Sequence, residues 1–237
     1  EPKVAVPPSG HVVGFGFVVA GGVAYAKVQD GYDSLQAFSE VQNVQLNYNE
    51  DGQLLDRGEV AGAEAIMATL TDTWQFPVVQ SDLDPNDPLV NTASEYMYQM
   101  ATIVHHTTSG TQTVVLPEDV STDDGTVYEA GTYEVDVTDR YWTDFDRSNP
   151  LDAAAREQAW TGTAHGLVAE LGVGTVTAST LQMGLALAGL FAGLGLVFLL
   201  TGGGLLWAVR GEKKVVVPDT VPESFLTEQV EGRKQTV

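Results

Sequence analysis

The chain has 237 residues, a formal charge of −21 and no cysteine, which excludes disulfides, thiolate metal sites and cysteine nucleophiles. Residues 27–180 hold 26 Asp or Glu against 5 Lys or Arg, so the whole charge excess sits on the middle of the chain and the ends are neutral. Such a surface repels nucleic acid and anionic lipid headgroups and attracts cations and basic protein surfaces.

The first element is apolar: HVVGFGFVVAGGVAYA, residues 11–26. It is short for a membrane span but can begin earlier, near Pro7-Pro8, because proline is tolerated in a first helical turn. Lys3 with Ala24-Tyr25-Ala26 also fits a signal peptide with a small-x-small cleavage site; the reading carried forward is a retained N-terminal anchor after a cytoplasmic segment, residues 1–10. Gly16, Ala20 and Ala24 recur every four positions, a spacing that lets helix backbones approach closely. Residues 27–43 read as a helical continuation or a short linker.

Residues 27–180 form the acidic domain. VQLNY alternates, with Val44, Leu46 and Tyr48 on one face, and Asp51-Gly52 before QLL reads as a hairpin turn. Residues 59–72 have helical spacing at Val60, Ala63, Ile66, Met67 and Leu70. Then comes SDLDPNDPLV, where Asp82, Asp84, Asn86 and Asp87 bring four oxygen-bearing side chains together. As an EF-type calcium loop the run fails at its sixth position, Asp87 instead of glycine, and at its twelfth, Ala93 instead of glutamate. A different calcium geometry stays open, since hard cations accept any cluster of carboxylates and carbonyls. The simpler reading is a proline-braced turn leading to a helix.

Thr92 and Glu95 make a capping box, and the helix behind it places Tyr96, Met97, Met100, Ile103 and Val104 on one stripe. TQTVVL, residues 111–116, reads as a strand. Residues 127–137 read as two strands around Ala130-Gly131, with Tyr133, Val135 and Val137 alternating. RYWTDFDRSNP is a loop. From Leu151 the chain is helical again, with Trp160, Ala164, Leu167 and Leu171 in one stripe and a weak point at Gly172 to Gly174. The expected fold is an α+β domain, a small, mostly antiparallel sheet with covering helices, carried on two transmembrane helices.

The second span is LQMGLALAGLFAGLGLVFLLTGGGLLWAV, residues 181–209, with no charged residue. At about 1.5 Å per residue it exceeds the ~30 Å hydrocarbon core. Trp207 suits the headgroup layer and the following RGEKK marks the cytoplasmic side. Gly189 and Gly193 form a GxxxG, flanked by Ala188 and Ala192, which favours helix packing. The absence of ionisable residues in this span argues against a proton path, channel or transporter. Residues 210–237 read as an extended cytoplasmic tail.

Catalytic patterns are sparse. His105 and His106 are adjacent and point about 100° apart on a helix. His165 lies off its stripe, and no HxxH, HxxxH or HExxH pattern occurs. GxSxG, P-loop and Rossmann patterns are also absent. Asp144 and Asp146 could serve as an acid and a base, but Arg140 and Arg147 make a local ion-pair network the simpler account.

The stretches LDPNDPLVNTASEYMYQMATI, YEVDVTDRYWTDFDR and AELGVGTVTASTLQMGLALAGL resemble a family of actinobacterial membrane proteins of unknown function, over most of residues 29–209. Members sometimes carry the label of aromatic ring-opening dioxygenase, whose chemistry needs a metal held by converging histidines and a carboxylate. The resemblance implies membrane anchoring and supplies no catalytic residues. The function expected is a non-catalytic accessory or structural subunit of a larger membrane complex, of respiratory or membrane-monooxygenase type. Its partners would be other membrane subunits, the lipid bilayer and a basic protein surface, with no nucleic acid and no obligatory cofactor. The alternative is an independent calcium-binding or sensing protein; an envelope enzyme ranks below both.

Overall fold

The computed structural model describes residues 9–211. Lys3, most of the RGEKK run and the proline-bearing tail lie outside the described residues. Two helices are long and apolar enough to cross a membrane by length and composition: α1 (Ser9–Gln42) and α5 (Gly162–Gly211). Contacts divide the chain into two compact units, one holding residues 9–19 and 191–211, the other Ala20–Leu190.

In the first unit the two long helices meet at glycines. A Cβ on Gly195 would lie 2.6 Å from Val18 Cγ2 and 2.8 Å from the Gly14 carbonyl oxygen. Only a residue without a side chain permits that approach. Phe17 stacks on Phe198 with centroids 5.8 Å apart. The His11 ring occupies space beside Gly202, where a Cβ would stand 3.2 Å from His11 Cε1.

The second unit is a mixed α/β body. β1 (Asn47–Tyr48) and β2 (Leu54–Leu55) pair antiparallel, Tyr48 opposite Leu54. Their turn forms where the sequence predicts it. The Asn49 side chain accepts from Asp51 N and Gln53 N at 3.0 and 2.8 Å, and Gly52 supplies φ +76° at no steric cost. α2 (Val60–Ala68) runs into a π-turn at Thr69–Thr73, and α3 spans Ala93–Thr107. β3 (Thr111–Leu116) pairs with β6 (Gly131–Asp136), while β4 (Val120–Ser121) pairs with β5 (Val127–Tyr128). α4 covers Pro150–Ala159.

The β-structure is small and antiparallel as expected: among the described residues it forms three two-stranded ladders. The expected stripe of α3 faces the cores: Tyr96 and Val104 are buried, and Met97, Met100 and Ile103 are half-buried against the first core, with Tyr98 and Ala101 buried beside them. One expectation is corrected. The stripe from Trp160 is interrupted, because Trp160 caps α4 with a non-helical backbone and α5 starts at Gly162; Leu167 is exposed.

Gly172 and Gly174, read as a weak point, stay helical. A Cβ on Gly174 would lie 2.6 Å from the Tyr96 ring, so the glycine gives α3 a seat on α5, and packing outweighs the helix-propensity loss of about 1 kcal/mol. One apolar core gathers Ile66, Leu70, Tyr96, Ala101 and Leu171. A second gathers Val114, Val137, Phe145, Ala155 and Trp160.

Candidate functional site

The acidic run folds as a turn built on Asp84 and Asn86, while Asp82 Oδ2 is buried without a hydrogen-bond partner. Asp82 closes a short 3₁₀ turn, Gln80–Asp82. Asp84 Oδ1 accepts from Asn86 N at 2.8 Å and from Asn86 Nδ2 at 2.9 Å, bonds that hold the Asp84 carboxyl below its ordinary pKa. Asp87 N donates to Asp84 O at 3.0 Å. Asn86 thus turns its donor, not its carbonyl, toward Asp84. Among the described residues no group of three or more His, Asp or Glu side chains is placed to hold a metal ion.

What the run delivers is a capped helix. Thr92 Oγ1 accepts from Glu95 N at 3.3 Å, and Glu95 Oε2 accepts from Thr92 N at 2.8 Å and Asn91 N at 3.0 Å. Both halves of the predicted box are present.

Asp144 and Asp146 serve local turns. Asp144 Oδ2 accepts from Tyr141 N at 2.8 Å, and Asp146 Oδ1 accepts from Ser148 N at 2.9 Å. The Ser148 bonds hold the Asp146 carboxyl below its usual range. Arg140 grips Asp152 of α4 with both ends of its fork, Nη2 to Oδ2 at 2.5 Å and Nη1 to Oδ1 at 3.1 Å. It also donates to Asp144 O at 3.2 Å, and Asp146 N donates to Asp152 Oδ2 at 3.0 Å, so the local network is centred on Asp152, a carboxylate that the sequence reading did not name.

The Arg140 bonds lower the Asp152 pKa. A lowered carboxylate contributes stability that is full above its ordinary value and is lost as pH falls through the lowered one. Asp152→Asn is therefore expected to cost about 1–2 kcal/mol near neutral pH and to flatten acid denaturation. Thermal melts of both proteins across the carboxylate range test this; parallel pH profiles would refute it.

Of the five predicted packing residues, the three glycines do not carry the contact between α1 and α5. A Cβ on Gly16, Gly189 or Gly193 would meet nothing within 4 Å, Ala20 is exposed and Ala24 half-buried. The contact runs instead through Gly14 with Gly195 in the first unit, and through Gly31 and Gly184 in the second, where added Cβ atoms would collide with Leu181 and Val28. Four-residue spacing finds a smooth face but cannot say which of several faces turns inward.

A second long-range pair was not singled out in the sequence. His106, in the last turn of α3, places Nε2 at 2.8 and 2.9 Å from the two oxygens of Asp56. Asp56 is held by reciprocal backbone bonds with Glu59, 3.0 and 2.8 Å, across a turn in which Arg57 and Gly58 take φ +50° and +87°. Gly62 leaves room for the carboxylate, since a Cβ there would stand 3.1 Å from Asp56 Oδ2.

A cavity of about 290 Å³ opens at this pair, with Tyr98 in its wall. Tyr98 is 3% exposed, and its hydroxyl has no hydrogen-bond partner. Burial first, and the Asp56 charge second, push its pKa up. Fifty positions separate Asp56 from His106, so no local spacing could announce them.

The other histidines are placed apart. The His105 ring lies 5.9 Å from that of His106, and His165 stands edge-on to Trp142 at 4.8 Å. Compared with family models, curated proteins and solved structures, the chain matches none.

Proposed function

We propose that the chain is a membrane-anchored, non-catalytic accessory subunit of a larger membrane protein complex. The observation that carries this reading is the open small-residue surface of the two long helices. Gly16, Gly189 and Gly193 have empty space where a side chain would be, amid exposed apolar residues such as Phe15, Leu190 and Leu196. In a bilayer, faces that admit close backbone approach are where foreign helices pack.

In this reading α1 and α5 each cross the membrane, the acidic residues 27–180 lie on the extracytoplasmic side, and both termini are cytoplasmic. The acidic surface docks a basic neighbour and steers its approach. Respiratory and membrane-monooxygenase assemblies are hosts that suit this architecture, and the resemblance to actinobacterial membrane proteins implies membrane anchoring.

Native mass spectrometry of the protein extracted from its own membranes in mild detergent is the test. Stoichiometric foreign subunits are the expected result. A lone monomer or a homo-oligomer would overturn the reading.

A further inference from the structure

We propose that the apolar groove between the end of α1, α3 and the start of α5 seats one apolar side chain of a partner protein, on a segment that carries Lys or Arg beside that side chain. The proposal rests on the accessory-subunit reading.

The groove is built by Phe38, Val44, Ile103, Leu167 and Leu171, all within the second unit. Its polar floor is already paired, since Ser39 and Tyr96 line it and share a hydrogen bond of 2.8 Å. The rim is open. Phe38 is 45% exposed, Leu167 is 38% exposed, and Val41, about one turn on from Phe38, is 84% exposed. Apolar side chains gathered at a concave place on a charged surface mark a contact site.

Volume and position select the occupant. At about 110 Å³ the groove is well below the ~300 Å³ of a small-molecule pocket and below the ~150 Å³ of an apolar cavity that accepts benzene. One aliphatic side chain fills it, and a side chain inserted into a pocket is the kind of contact that dominates a protein interface. A lipid chain does not suit the place. Phe38 follows the end of the first apolar stretch, Ala26, and Leu171 precedes the start of the second, Leu181. At about 1.5 Å per residue the groove stands roughly 15–18 Å beyond those stretches, whereas a headgroup layer is about 5–8 Å deep.

Charge selects the rest of the segment. Among the described residues that line the groove Glu170 is the charged one, and no described Lys or Arg pairs with it. α1 ends at the groove, at Gln42, with no basic residue in its last turn; the C-terminal end of a helix carries partial negative charge and favours a cation. The surrounding residues 27–180 hold 26 acidic against 5 basic side chains. A second copy of the chain would therefore bring like charges together across the groove, whereas a Lys- or Arg-bearing segment neutralises them.

The test is photocrosslinking on the full chain in its own membranes, with p-benzoylphenylalanine in place of Val41. The expected product joins a foreign protein, through a peptide with an apolar residue and a Lys or Arg within about one helical turn of each other. Leu167→Trp fills the groove from its rim and Glu170→Lys reverses its charge; both residues are exposed. Each should cut the crosslink yield about tenfold. Glu129→Lys makes the same change in net charge at an exposed position between β5 and β6 and should leave the yield unchanged. A crosslink to lipid, to a second copy or to a segment without Lys or Arg would overturn the proposal, as would equal yields in all the variants. Native mass spectrometry of the same membranes separates the two failures. A foreign subunit that is present but does not crosslink overturns the groove alone; no foreign subunit overturns the accessory reading and the groove with it.

Discussion

Replacing Glu95 with alanine is expected to cost about 3 kcal/mol and to lower the Tm by roughly 6–12 °C. Glu95 is 1% exposed, and its Oε2 alone accepts from Asn91 N, Thr92 N and Thr92 Oγ1. Alanine would leave the two part-buried backbone donors without their partner at the start of α3, the helix both cores use. It would also open a void against the first core. Glu95→Gln retains an oxygen acceptor, as a capping box allows, and should cost only about 1 kcal/mol.

The two variants also differ in pH dependence. Burial is the largest influence on Glu95 and raises its pKa against the opposing hydrogen bonds. The folded chain therefore holds this proton more tightly than the unfolded chain. The Glu95 contribution rises as pH falls through the raised value and is complete below the ordinary value of 4.5. Glutamine has no such proton, so its stability profile should lack that rise. Tryptophan-fluorescence melts of the three proteins at a series of pH values give both results. An alanine variant within about 1 kcal/mol of the parent would mean the box is ornamental.

The second large effect separates the closed and open glycines. Gly195→Leu is expected to lower stability by about 3 kcal/mol. Its Cβ would stand 2.7 Å from Val18 N and 2.8 Å from Gly14 O, and backbone atoms cannot swing aside as a flexible side chain can. A Cβ on Gly193, two positions earlier, would meet no atom within 4 Å, and Gly193→Leu is expected to leave the Tm unchanged. If the open face docks a foreign helix, this variant loses the co-purifying subunit while the melt stays normal. A Gly193→Leu protein that melts as low as Gly195→Leu would show that the helix pair closes on the other face. One that keeps its partner subunit would remove the open glycine from the interface.

Some of these features could be read directly from the chain and some could not. Thr92 and Glu95 were legible because a cap is made by residues three apart, on backbone geometry common to every helix start. The β1–β2 hairpin and the β3 and β6 strands were legible for a similar reason, since alternation and a turn residue act over a few positions. The calcium reading of Asp82, Asp84, Asn86 and Asp87 depended on where side chains point. In the structure Asn86 presents its nitrogen to Asp84, an orientation that composition does not encode. Trp160 fitted a helical period, yet it falls at the end of α4, where the chain leaves the helix to bury the indole and donate Nε1 to Arg140 O at 3.1 Å.

The sequence alone determined the two long apolar helices, the acidic body between them, the absence of thiol chemistry and the capped start of α3. Each follows from a local property: hydropathy, net charge, residue type or a spacing of a few positions. Tertiary structure alone decided which glycines close on a neighbouring helix, which carboxylate Arg140 takes, and that Asp56, Tyr98 and His106 share one cavity. Those outcomes depend on pairing residues far apart in the chain, and many such pairings are compatible with the same local preferences until side-chain volumes and buried polar groups are satisfied together.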